Sequence, residues 1–121
     1  MSSEMNLQTV IEKLRVVSVN IGTSRTNAFS SDVPEYKMRC IVAIFLIGDG
    51  SGSRTVDIEK VEEDGSYTMK FPSVPIAPAD FKPIPQSYDP LKPIMVLEGG
   101  TNLSFKANAG SPYATVVYWD K

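Results

Sequence analysis

Residues 36–47 read Tyr36-Lys37-Met38-Arg39-Cys40-Ile41-Val42-Ala43-Ile44-Phe45-Leu46-Ile47 and contain the longest apolar run of the chain, Ile41–Ile47. β-Branched and aromatic side chains dominate it, with no Gly or Pro, so it predicts a strand. Alternation puts Met38, Cys40, Val42, Ile44 and Leu46 on one face and Ile41, Ala43, Phe45 and Ile47 on the other. A strand apolar on both faces belongs at the centre of a sheet. A second sheet is expected over one face, and other chain or another subunit over the opposite one. The run Ile41–Ile47 is far too short to span a bilayer.

On the N-terminal side, Val33-Pro34-Glu35 closes a polar loop, 22–32, that contains Phe29. Before the loop, residues 15–21 alternate as a strand, with Val17, Val19 and Ile21 on one face and Val16 on the other. Leu7, Val10, Ile11 and Leu14 fall at helical spacing. Two readings fit residues 1–14: an amphipathic helix packed on its own domain, or an arm docked on a neighbouring subunit. Residues 1–8 are polar and lack the apolar core of a signal peptide, so cytoplasmic synthesis is expected.

On the C-terminal side, Gly48-Asp49-Gly50-Ser51-Gly52-Ser53 is a glycine-rich turn, read as a flexible hairpin. It leads into a strand, residues 54–61, with Val56 and Ile58 inward. Glu62-Glu63-Asp64-Gly65 makes a tight hairpin, and residues 66–71 return as the next strand. Pro72, Pro75, Pro78, Pro83, Pro85, Pro90 and Pro93 then punctuate a segment too apolar for a solvated linker. Each Pro lacks a backbone donor, so residues 72–93 are expected to form an ordered crossover over one edge or end of the fold, with room for a short edge strand. Strands follow at 94–98, 101–107 and 113–119, separated by the Gly99-Gly100 and 108–112 turns. In the last strand Ala114, Val116 and Tyr118 face one way, and Thr115, Val117 and Trp119 the other. The count predicts an all-β fold, an antiparallel β-sandwich of jelly-roll type, with residues 15–121 as one domain.

Composition excludes several chemistries. The chain of 121 residues has no His and one Cys, so it carries no His-dependent triad, no HExxH zinc site and no internal disulfide. The net charge is −2 and basic residues such as Arg15, Arg25, Lys37, Arg39 and Arg54 are scattered, which argues against nucleic acid or an anionic membrane as a partner. The 48–53 loop offers one carboxylate, Asp49, where calcium needs several, and it precedes a strand where a phosphate loop precedes a helix. Asp57, Glu59, Glu62, Glu63 and Asp64 form an acidic cluster, read as a charged hairpin that stays soluble. Cys40 reads as a small core residue. No metal, cofactor or catalytic residue is expected, and the chain is not expected to be an enzyme.

Leu97-Glu98-Gly99-Gly100-Thr101-Asn102-Leu103-Ser104-Phe105-Lys106-Ala107 and the ending Thr115-Val116-Val117-Tyr118-Trp119 carry a resemblance. With Arg54-Thr55-Val56 and the Pro-punctuated crossover, this order of features resembles small jelly-roll virion proteins of tailed phages and related viruses. The resemblance covers about two-thirds of the chain and rests on packing and turn residues. It implies a capsid decoration, collar or fibre-tip subunit in a symmetric ring, often a trimer, bound to a capsid or tail protein and located in the virion. Candidate interface residues are Leu7, Val10 and Ile11 at the N-terminus, with Ile76, Phe81, Ile84 and Tyr88 in the crossover. The alternative is an extracellular carbohydrate-binding module that uses Tyr88, Tyr113 and Trp119 as exposed aromatics.

Overall fold

The computed structural model describes residues 6–121. The apolar run forms strand β3 (Met38–Ile47) at the centre of a five-stranded antiparallel sheet. On one side it pairs with β9 (Tyr113–Asp120), which pairs in turn with β1 (Arg15–Asn20). Its other side is shared: β6 (Phe81–Ile84) pairs with Ile44–Ile47, and β7 (Met95–Glu98) with Met38–Ile41. The two behave as one edge strand interrupted by an excursion, 85–94. The facing sheet has the order β2 (Thr26–Asn27), β8 (Asn102–Ala107), β4 (Arg54–Val61), β5 (Tyr67–Ile76). The described residues form an all-β antiparallel sandwich with one short helix, α1 (Leu7–Lys13).

Between the sheets lie Ile21, Phe29, Ile41, Ile44, Leu46, Val56, Ile58, Leu97, Leu103, Phe105 and Val116. Strict alternation puts Ile41 opposite Ile44 and Leu46, yet all three point into this core. The reason is a β-bulge. The register steps from Ile41↔Tyr118 to Ala43↔Val117, so Val42 is an extra residue and the face assignment flips across it. Cys40, Val42, Ala43 and Phe45 therefore face outward together with Val117 and Trp119. In β9, which has no such interruption, the two predicted faces are the observed ones.

The outer face of β3 from Cys40 to Ala43 is covered by the chain itself, so burial there needs no second subunit, while Phe45 and Ile47 further along stay partly open. Over one part lies α1, whose start is capped by the Asn6 side chain accepting the Thr9 N–H at 2.9 Å. Val10 is fully buried against Cys40, Val42 and Trp119. Burying a valine is worth about 1.5–3 kcal/mol, more than propensity gives a seven-residue helix. The second cover is the 85–94 excursion, whose Pro90 carbonyl accepts the Trp119 indole N–H at 3.0 Å.

The Pro-rich segment does not begin as a crossover: β5 continues through Pro72 and Pro75 to Ile76. Both prolines are tolerated because β5 is the outer strand of its sheet. Two register shifts between Val74 and Met69 bend it, and the Ser73 N–H turns away to donate to Asp57 Oδ1 at 2.8 Å. The Glu62–Gly65 hairpin forms as expected, Gly65 taking a φ of +88° and its N–H donating to the Glu62 carbonyl.

The 48–53 connection joins the two sheets and is not a hairpin. Its order comes from Asp49, whose side chain is only 6% exposed. Asp49 Oδ1 accepts the Ser51 N–H at 3.0 Å, and Oδ2 accepts Arg54 Nε–H at 2.9 Å and the Ser111 N–H at 3.0 Å. These donors hold the Asp49 carboxyl far below its ordinary range. Gly110, with φ +68°, sits against this carboxylate where a Cβ would strike both Asp49 and Arg54.

Candidate functional site

Three strands present a row of large side chains on the outer face of the five-stranded sheet. Ile47 of β3 is flanked by Tyr113 of β9 and Phe81 of β6, and Phe45 by Thr115 and Pro83. Residues directly opposite one another share a face, so Tyr113, Ile47, Phe81 and Phe45 all point outward. Phe45 and Phe81 stack with centroids 5.3 Å apart at 18°. Tyr88, carried in by the excursion, meets Phe45 edge-on at 5.8 Å. Phe81 keeps 64% of its surface exposed, and Tyr88 and Tyr113 each keep 48%. Leu7 and Ile11 of α1 and Val16 of β1 are further exposed apolar side chains on this side. An aromatic cluster half-open to water, rimmed by Thr115 and the polar outward residues Ser18 and Asn20 of β1, has the make-up of a contact surface.

The candidates read from the sequence divide between this face and the interior of the protein. Phe81 and Tyr88, read as interface residues, and Tyr113, read as a sugar platform, converge on the one aromatic face. Leu7 and Ile11 of α1 are exposed. Four candidates are corrected. Val10 is consumed by the helix–sheet contact. Ile76 is 1% exposed, because β5 delivers it into the inter-sheet core. Ile84 lies opposite Ile44, which turns it inward against the same core, away from the face that Phe81 shows. Trp119 is 5% exposed under α1 and the excursion, with its indole N–H already used, so it offers no sugar platform.

Phe45 and Ile47 complete the face, and the sequence does not single them out. Their shared side of the strand is legible, but their neighbours on β6 and β9 are not. Tyr36 also escapes the sequence reading: it is 99% exposed at a φ of +64°, just ahead of β3. Nothing in its local sequence announces that conformation.

The other constellations are held by structure. Cys40 is buried, and burial pushes its thiol up, the opposite of an activated nucleophile. The acidic residues do not converge on a cleft. Asp57 accepts from Ser73, Asp64 caps Ser66, Glu62 lies 3.4 Å from Lys60, and Glu59 takes a two-pronged contact from Arg25 at 2.9 and 3.3 Å. Arg25 also stacks 3.8 Å over the Tyr67 ring. At one end of the sandwich Arg39 pairs with Asp120 at 2.7 and 2.9 Å, above the Phe29 and Tyr118 rings, and holds the Asp120 carboxyl below its ordinary range. Among the described residues no group of three or more His, Cys, Asp and Glu side chains is placed to hold a metal ion. No family model and no curated protein matches this chain.

Proposed function

We propose that this protein is a non-enzymatic assembly subunit whose aromatic outer face packs against a neighbouring copy, within a virion or a similar particle. The observation that carries the reading is the Phe45–Phe81–Tyr88–Tyr113 cluster, partly stacked and partly left open to water. Aromatic anchors ringed by polar side chains are what interface hot spots are made of, and a stable contact buries about 800 Å² on each partner.

The strand orders support reading the sandwich as a jelly roll. The chain alternates between sheets from β1 to β4, stays in the second for β5, and returns to place β9 between β1 and β3 and β8 between β2 and β4. Two such interlocked Greek keys are the architecture of many capsid subunits and also of lectins. Because fold does not fix function, the virion setting rests on the resemblance of the 97–107 and 115–119 motifs, and so do the trimer and the capsid or tail partner.

Exposed Tyr88 and Tyr113 keep the carbohydrate-binding alternative in view, although it loses Trp119. Sedimentation velocity over a wide concentration range separates the two. An assembly subunit is expected to give species heavier than 13.3 kDa that grow with concentration. A monomer at every concentration, binding glycans in a way that Tyr88→Ala and Tyr113→Ala abolish, would establish the alternative instead.

A further inference from the structure

A β-sandwich with two open sheets has free edges, and this one guards its edges unequally. β5 is bent by two register shifts and lacks N–H groups at Pro72 and Pro75. β2 is two residues long. The β6–β7 edge contains Pro83 and is broken by the 85–94 excursion. Each is a known way to stop strand addition. By contrast β1 runs for six residues, Arg15-Val16-Val17-Ser18-Val19-Asn20, with no Pro and an unbroken register against β9. Among the described residues nothing pairs with its other side.

Antiparallel ladders alternate, which fixes what that open side offers. The Ile21 N–H donates to the Pro112 carbonyl at 2.7 Å, so odd-numbered residues serve the β9 ladder. Val16, Ser18 and Asn20 therefore turn their N–H and C=O groups outward, away from β9. We infer that β1 is a strand-addition edge whose occupant is β1 of a second copy, antiparallel about a two-fold axis midway between the two Ser18 residues.

The register suits itself. Ser18 faces Ser18, and Val16 faces Asn20 of the second copy, so all the outward backbone groups are paired. Val17 faces Val19 on the core side, an aliphatic pair that continues the inner face. The two Arg15 side chains lie at opposite ends of the seam, so no like charges oppose one another. A two-fold contact uses the same patch on both copies and closes as a dimer, which an unguarded edge needs if it is not to grow further. This contact is an edge, distinct from the aromatic face, and does not rest on the function proposed above.

The test uses three variants of the full chain. Ser18→Pro removes an N–H that β9 does not use and one exposed side-chain hydrogen bond to Thr115 Oγ1 at 2.9 Å. It is therefore expected to melt within a few degrees of wild type while dimer affinity falls by about 30-fold or more, from losing two hydrogen bonds at the axis. Ser18→Cys is expected to give a covalent dimer on mild oxidation, because directly opposed residues lie about 5.5 Å apart, within disulfide reach. Cys40, the natural thiol, is buried. Val16→Cys, facing Asn20, is expected not to cross-link to itself. The Ser18→Cys cross-link is expected to persist when Phe81 and Tyr113 are both changed to Ser, which separates it from the aromatic face. Equal association of Ser18→Pro and wild type would overturn the inference. So would equal cross-linking, or none, at Ser18→Cys and Val16→Cys, and that comparison decides alone if Ser18→Pro does not fold.

Discussion

Trp119 and Pro90 are joined by one hydrogen bond, the indole N–H donating to the proline carbonyl at 3.0 Å. It ties the last strand to the excursion between β6 and β7, and so sets where Tyr88 can meet Phe45. Replacing Trp119 with Phe keeps most of the buried ring but leaves the Pro90 carbonyl without this donor. The expected loss is about 1–3 kcal/mol in urea unfolding. Amide exchange is expected to quicken in the 85–94 segment more than in β8.

Ile84 and Phe81 share one four-residue strand and face opposite ways. A carboxylate at Ile84 would enter the inter-sheet core, so Ile84→Glu is expected to cost about 2–4 kcal/mol of folding stability. Phe81→Ser gives up a half-exposed stack on Phe45 and is expected to cost about 1 kcal/mol or less. Chemical denaturation of the two variants checks the orientation directly, and equal losses would contradict it.

Asp49 links acid stability to the 48–53 connection. Its carboxyl lies far below the ordinary value of 3.8 when folded, because backbone N–H groups of Ser51 and Ser111 and the Arg54 guanidinium favour the charged form. A depressed folded value stabilises the protein fully above the unfolded value, and the contribution fades as pH falls below about 4. Asp49→Asn is therefore expected to lower the melting temperature at pH 7, with the gap to wild type narrowing as pH falls from about 4 towards 2. A gap that stays constant across that range would show that Asp49 acts without its charge.

Ser104 sits on the outward side of β8, opposite Glu59, with its hydroxyl fully buried and without a hydrogen-bond partner. Such a group costs desolvation with no return. Ser104→Ala is expected to leave stability unchanged or raise it by up to about 1 kcal/mol, measured by thermal or urea unfolding.

These relationships differ in how far the sequence announces them. The strands, the Glu62–Gly65 hairpin and both faces of β9 follow from alternation and turn chemistry, which are local. The Val42 bulge is not local: it shows only in the pairing with β9, and it moves Cys40 and Val42 to the side opposite the one that holds Ile44 and Leu46. Pro72 and Pro75 read as the end of a strand because their tolerance depends on an edge position that composition does not reveal. The same holds for the candidate surface. Phe81, Tyr88 and Tyr113 are visible in the sequence as apolar residues in suspect places. Ile76, Ile84 and Trp119 have the same side-chain character, and only register and cover send them inward.

A contact between copies through the aromatic outer face is tested most directly by comparing wild type with the double variant Phe81→Ser, Tyr113→Ser. Sedimentation equilibrium gives the masses, with melting curves run alongside. The wild-type weight-average mass is expected to rise well above 13.3 kDa with concentration. The variant is expected to lose the largest species while its melting temperature changes little. Superimposable mass distributions for the two proteins, or a wild type that stays at 13.3 kDa throughout, would contradict such a contact.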